Sequence, residues 1–330
     1  MLDGLPQQIY RRCLRYLYRI CGHHALLPNS LQIPLCYDPK TTAECGGGFA
    51  DVWKGKHRDQ DVAAKALKVY TSYTTEKFEK IRKTFCREIM TWRTLRHPNV
   101  LPLIGVTMTD TVTEKRFVMV SRWMNNRNIN KFLESNTNVD RLQLLREITT
   151  GLIYMHDHGM IHGDLKGDNI LIDGDGHALL ADFSLITLIP DRSTFLSSCI
   201  QSGTVPWMSP ELLEPGSFGL KEIRPTRESD CYALGMVVYE ILSGRAPFGG
   251  RSDFGTVFKV LNGERPARPQ GEGAELFADV IWEVLERCWK RKPSDRASVE
   301  DVLQCLGGTP SDVDAETDSG DQSDATPDDS

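Results

Sequence analysis

Apolar and polar positions along the chain change period in a fixed order, and each change predicts an element. From Thr42 to Val69 short β-type runs flank a glycine-rich turn and predict strands. From about Thr75 to Leu95 the period becomes helical, with Phe78, Ile81, Phe85, Ile89 and Trp92 on one stripe and Glu88 lying on that same stripe. Val100 to Val106 and Arg116 to Trp123 predict two further strands. Past Met124 helical spacing dominates: Leu142, Leu145, Ile148, Leu152 and Met155 repeat at threes and fours, and Asp230 to Ser243 predicts a strongly apolar helix. No repeat of about twenty to fifty residues occurs, which excludes solenoids and propellers. The expected class is α+β with two lobes, a small antiparallel sheet with one main helix followed by a larger, mainly helical lobe.

Near the start, Tyr10, Cys13, Leu14, Leu17 and Cys21 share one helical face while Arg11, Arg12, Arg15 and Arg19 lie mostly elsewhere. This predicts a basic amphipathic helix, read as a lead-in packed on the main domain. The expected domains are 1–41 for this lead-in, 42–305 for the folded unit (smaller lobe about 42–123, larger about 124–305), and 306–330 for an acidic disordered tail. Removing the eight acids of Ser311 to Ser330 from the net charge of −6 leaves +2, too weak a field for a nucleic-acid binder. The longest apolar runs fall far short of the ~20 residues of a membrane span, and no secretory signal is read. Nine scattered cysteines without paired spacing read as reduced thiols, hence a cytoplasmic or nuclear location. Cys21, His23 and His24 lack further ligands at metal spacing and read as surface. The tail and the basic helix are the places where a regulatory partner is expected.

The chemistry begins with Cys45-Gly46-Gly47-Gly48-Phe49-Ala50-Asp51-Val52, a glycine turn that is weak alone and gains weight from the lysine-bearing strand after it. In Val62-Ala63-Ala64-Lys65, strand alternation puts Ala63 and Lys65 on one face and Lys68 on the other, so Lys65 points beneath the turn. Glu88 needs a cation and Lys65 an acid; the two are expected to pair, leaving the amine to hold phosphate oxygens. Ile161-His162-Gly163-Asp164-Leu165-Lys166-Gly167-Asp168-Asn169 precedes a short hairpin turning at Asp173-Gly174-Asp175-Gly176, after which comes Asp182. The hairpin brings Asn169 and Asp182 together, two oxygen ligands suited to Mg2+. Asp164, in the same loop, can take a hydroxyl proton.

This set resembles the protein-kinase signature, and with His97-Pro98-Asn99, Gly203-Thr204-Val205-Pro206-Trp207-Met208-Ser209-Pro210-Glu211, Ser229-Asp230-Cys231-Tyr232 and Asp295-Arg296 it resembles the eukaryotic protein-kinase superfamily over about Thr42 to Cys305. The resemblance implies a protein-kinase-like fold, ATP and Mg2+ as cofactors, and a protein substrate. It implies catalytic roles for Asp164, Lys65, Lys166 and Glu88 and metal ligation by Asn169 and Asp182. Nucleotide contacts would come from Cys45, Gly46, Gly47, Gly48, Phe49, Val52, Ala63, Lys65, Ser121, Met124, Leu171 and Asp182. Val52, Ala63 and Leu171 would sandwich adenine, Arg122 to Met124 would form the hinge, and Ser121 would be the gatekeeper. Glu211 would pair with Arg296, and Asp230 would hold the catalytic-loop backbone. Lys166 and Thr204 resemble serine/threonine kinases, and Trp207-Met208 the tyrosine-kinase-like branch.

The chain departs from the pattern at Cys45 and Ala50 (glycines of the loop), Gly163 (the Arg of HRD), Ser184 (the Gly of DFG) and Ser209 (the Ala of APE). No catalytic group is removed. Gly163 offers no charge to a phosphorylated activation segment, so activity is expected to depend little on phosphates at Ser193 to Ser198. The alternative reading is a pseudokinase acting as a nucleotide-binding or scaffolding module. A small-molecule phosphotransferase is disfavoured by Gly203 to Glu211, which resembles a protein-substrate platform.

Overall fold

A computed structural model describes residues 9, 13, 16–17, 20–34, 37, 42–46, 50–67, 74–110, 115–183, 192–271 and 274–308. Gly47, Gly48, Phe49, Ser184 and the tail from residue 309 lie outside the described residues.

The smaller lobe is an antiparallel sheet of β1 (Cys45–Gly46), β2 (Ala50–His57), β3 (Gln60–Leu67), β4 (Leu103–Asp110) and β5 (Lys115–Arg122), in the order β1-β2-β3-β5-β4. Arg58 and Asp59 take positive φ at 48° and 63°, the tight-turn geometry whose twist matches the β2–β3 hairpin. β4 starts at Leu103 instead of the expected Val100, because Pro102 has no N–H for a ladder and the strand forms only beyond it. Cross-strand pairing sets Val52 opposite Lys65 and Ala63 opposite Ser121, so these four share the sheet face turned to the cleft. The alternate set, Val62, Ala64, Ala66, Val118 and Val120, fills a core with Tyr37 on the other face.

Helix α1 (Thr75–Trp92) is capped by Thr74, whose hydroxyl accepts from the Lys77 amide at 3.2 Å. Its apolar face packs on Phe117 and Met119 of the cleft-side sheet face. In the lead-in, Cys21, Ala25, Leu27 and Leu31 pack with the core of the smaller lobe, while among the described residues before them Ile9, Tyr16, Leu17 and Ile20 are exposed; Tyr10 and Leu14 lie outside the described residues.

The larger lobe is built from α2 (Ile129–Ser135), α3 (Arg141–Asp157), the hairpin of β6 (Ile170–Ile172) and β7 (Ala178–Leu180), α4 (Arg192–Gln201), α5 (Pro210–Leu213), α6 (Arg227–Ser243), α7 (Phe254–Leu261), α8 (Asp279–Cys288) and α9 (Val299–Cys305). Helix α6 is its axis. A capping box of Thr226 and Ser229 starts it three residues before the expected Asp230, and Gly244 at φ 65° ends it. Nearly every turn of α6 is buried, so it packs on all sides and not along one stripe.

Candidate active site

The loop between α3 and β6 hangs from the buried end of α6. Asp230, 1% exposed, accepts the His162 amide and His156 Nε2 on Oδ2 and the Gly163 amide on Oδ1, each at 2.8 Å. Gly163 sits at φ 78°, a left-handed conformation that a glycine takes without strain, so this departure from the family pattern suits the backbone as well as removing a charge. Burial holds His162 below its ordinary pKa and hence neutral, with its Nδ1 accepting the Asp164 amide at 3.3 Å.

Asp164 is thereby aimed. Its Oδ2 accepts Asn169 Nδ2 at 2.9 Å, and the same amide nitrogen reaches the Asp164 carbonyl at 2.6 Å. Its Oδ1 is buried without a partner in the structure. The β6–β7 hairpin brings Asp182 to this spot as expected, with the Ala181 amide donating to the Asn169 carbonyl at 2.9 Å. Asp182 itself takes a positive φ of 61°, which a short polar residue tolerates better than most.

The expected Lys65–Glu88 pair is not formed, and this corrects the sequence reading. Lys65 Nζ lies 2.6 Å from Asp182 Oδ2, whereas the Glu88 carboxylate is 3.1 Å from Nη2 of its own neighbour Arg87. Spacing alone places Glu88 on the buried side of α1 but does not fix how far the helix has turned toward the cleft. Trp92, at the end of α1, meets the ring of Phe183 edge-on at 5.0 Å and donates to the Leu101 carbonyl at 2.7 Å, so the helix is tied to the segment bearing Asp182.

Lys166 is buried and donates to the Ser202 carbonyl at 3.0 Å and the Thr204 hydroxyl at 2.8 Å, joining the catalytic loop to the platform. Glu211 and Arg296 form the expected buried pair, bidentate at 2.7 and 2.6 Å. Of the residues expected around a base, Met124 packs with Leu101, Leu179 and Ala181, with Leu171 against them, while Val52, Ala63 and Ser121 share one face of the sheet. Cys45 and Gly46 form β1; the side chain of Cys45 is outside the described set, as are Gly47, Gly48 and Phe49.

One residue escaped the sequence reading. Glu240, 4% exposed on α6, accepts the Gly167 amide at 3.0 Å, Trp207 Nε1 at 2.9 Å and Asn130 Nδ2 at 2.8 Å, binding the catalytic loop to the platform a second time. Burial pushes its carboxyl up to about 7 against these bonds. The signal was present: an acid inside an apolar helix, the same logic that singled out Glu88.

A divalent cation fits this donor set. Asn169 spends its amide nitrogen on Asp164, which leaves its carbonyl oxygen as the acceptor beside the carboxylate of Asp182, oxygen donors of the hard type that Mg2+ prefers.

The family described as protein tyrosine and serine/threonine kinase matches residues 42–306. Among curated proteins the chain is 26% identical over 79% of its length to the serine/threonine/tyrosine-protein kinase HT1 of Arabidopsis thaliana, covering 63% of that protein. It is 27% identical, over the same share, to the serine/threonine-protein kinase STY46 of Arabidopsis thaliana, covering 42% of it, and 30% identical to the probable serine/threonine-protein kinase gdt2 of Dictyostelium discoideum, covering 15% of it and 79% of this chain. The chain thus spans less than two thirds of the length of these relatives. With the match running over both lobes and through every element of the site, the chain belongs to the protein tyrosine and serine/threonine kinase family.

Proposed function

We propose that this chain is a protein kinase that transfers the γ-phosphoryl group of Mg-ATP to serine and threonine hydroxyls of a protein substrate. The observation that carries the reading is Asp164, one carboxylate oxygen held by Asn169 and the other buried and unpartnered, poised to accept a hydroxyl proton. Asn169 and Asp182 would hold the cation, which supplies charge neutralisation at the phosphate oxygens. Lys65 contributes a mobile cation on the cleft face and must leave Asp182 for phosphate and Glu88 as the site loads. Val52, Ala63, Leu171 and Met124 offer an apolar slot for a planar base behind Ser121.

The Lys166–Thr204 contact and the names of the three relatives above, each of which includes serine/threonine and one of which adds tyrosine, support a hydroxyl of Ser or Thr as acceptor. We place the protein in the cytoplasm or nucleus, in keeping with seven free thiols among the described residues. The acidic tail and the basic lead-in stay the proposed sites for a regulatory partner. A scaffold without catalysis is disfavoured because Lys65, Glu88, Asp164, Asn169 and Asp182 keep their functional groups. The test is transfer of labelled phosphate to a generic protein substrate, followed by phosphoamino-acid analysis. Transfer is expected to stop on chelation, return with added Mg2+ and label Ser and Thr; transfer that survives chelation, or labels Tyr alone, refutes the reading.

A further inference from the structure

The lead-in that precedes the family-matched segment leaves apolar side chains in water. Ile9, Cys13, Tyr16, Leu17 and the run from Ile20 to His23 are helical. Ile9, Cys13, Tyr16, Leu17 and Ile20 recur at i, i+4, i+7, i+8 and i+11, which gathers them within about 100° of the helix circumference. Four of the five are exposed, Ile9 by 49%, Tyr16 by 54%, Leu17 by 46% and Ile20 by 57%, and Leu26 follows at 59% just past the helix end. Single exposed apolar residues are ordinary on a protein surface, whereas a stripe of them over about three turns marks a surface that meets something.

The end of this helix is fixed to the smaller lobe. Cys21 packs on its core, Arg82 Nη1 donates to the Ala25 carbonyl at 3.1 Å, and an added Cβ on Gly22 would stand 3.1 Å from Cα of Arg87. Ile20 thereby adjoins the exposed side of α1, where Lys80, Lys83 and Arg87 follow one another at i, i+3 and i+7. The acid Glu76 stands beside them, and Arg87 meets Glu88 at 3.1 Å. Residues 9–24 contain no acid at all and carry Arg11, Arg12, Arg15 and Arg19 among the apolar positions. An exposed apolar stripe thus runs through a cationic stretch of chain and ends against a cationic flank of α1.

An occupant of this surface has to be anionic and has to take up apolar side chains at the same time. The acidic segment Ser311 to Ser330 has the charge, but Val313, Ala315 and Ala325 are its only apolar residues, too few and too small to cover the stripe. A second copy would set the same bases against each other. An anionic bilayer supplies both: charged headgroups for the bases, the acyl boundary for the Ile and Leu side chains, and the interfacial layer that suits the ring and hydroxyl of Tyr16. We propose that residues 9–24, with Lys80, Lys83 and Arg87, form a membrane-surface docking site for anionic phospholipid. The helix lies in the plane of the interface and does not cross it; among the described residues no helix is long and apolar enough to do so. The site adds a location to the protein, seating the smaller lobe against lipid, and it does not depend on the phosphotransfer reading.

Full-length protein is mixed with vesicles of phosphatidylcholine containing about 30% phosphatidylserine, or of phosphatidylcholine alone, and bound protein is read by co-sedimentation while amide exchange follows residues 9–24. The wild type is expected to sediment with the anionic vesicles only, to bind several-fold more weakly in ~0.5 M salt, and to show slowed exchange in residues 9–24 on binding. Ile9→Gln, Tyr16→Gln and Ile20→Gln together keep every charge and should weaken binding at least about ten-fold. Lys80→Gln with Lys83→Gln leaves the apolar stripe intact and should weaken it several-fold. Both sets lie at exposed positions and should keep the wild-type unfolding midpoint; if the triple variant unfolds early, the lysine pair decides. No binding by the wild type, equal binding to both kinds of vesicle, protection confined to other residues, or binding left unaltered by either set overturns the proposal. So does a wild-type dimer formed in place of vesicle binding and lost in the triple variant, which would assign the stripe to self-association. Phosphate transfer is read in none of these measurements, so failure of the lipid site and failure of the kinase reading are told apart.

Discussion

Asp230→Asn is nearly isosteric, yet it should cost both stability and rate. The carboxylate meets three donors at 2.8 Å, two of them the consecutive amides of His162 and Gly163. The amide fits best with its oxygen toward His162 and His156, which leaves its NH2 facing the Gly163 N–H. One charge-assisted bond is then lost, worth ~1.5–3 kcal/mol, and one buried donor is left unmet, at ~1–3 kcal/mol. The sum, about 2.5–6 kcal/mol, is a large share of the ~5–15 kcal/mol that holds a typical domain folded. Gly163 directly precedes Asp164, so freeing its amide moves the carboxylate; a shift of about 1 Å at a reacting group costs on the order of 100-fold in rate. Urea unfolding gives the stability change, and kcat is read at a temperature where the variant remains folded. A variant with the wild-type midpoint and a rate within about three-fold of wild type would refute the view that Asp230 sets the catalytic loop.

Arg296→Ala should destabilise the larger lobe by ~3–5 kcal/mol by stranding the buried Glu211 carboxylate, a loss that urea unfolding would register and that a shift under about 1 kcal/mol would contradict. Glu240 holds a proton in the folded state up to about pH 7, whereas the unfolded chain releases it near the ordinary carboxyl value, so stability should fall by about 3 kcal/mol as pH rises across that window. Unfolding at pH 5 and pH 8 should show this slope flattened in Glu240→Gln, and an unaltered slope would assign the effect to other groups. Ser121 is small and faces the cleft beside Ala63, so ATP-site inhibitors with a bulky extension should lose potency in Ser121→Phe, measured across a graded series; equal inhibition of both proteins would remove the argument.

The sequence carried the lobes and the catalytic loop because local pattern decides them. Period switches mark α1 and α3, and a tight turn forces Asn169 and Asp182 together whatever the rest of the chain does. What could not be read was set by the relative placement of elements. Whether Glu88 meets Lys65 or Arg87 is a matter of tertiary placement that the spacing along α1 does not carry. The docking of residues 20–33 on α1 could not be read because it uses the close approach of Gly22 and the carbonyl of Ala25, contacts that leave no periodic apolar pattern. Glu240 was passed over inside a helix counted as apolar, although an acid there demands donors from its neighbours.

The central claim is that Lys65 and Asp164 serve one phosphoryl transfer, and the most direct measurement is the initial rate of labelled phosphate transfer from Mg-ATP to a protein substrate by the wild type, Lys65→Met and Asp164→Ala. The account predicts transfer by the wild type and a loss of at least ~100-fold in each variant, since each removes a charge or a base that acts on the reacting groups. Equal transfer by all three proteins, or nucleotide bound by the wild type with none transferred, would contradict it.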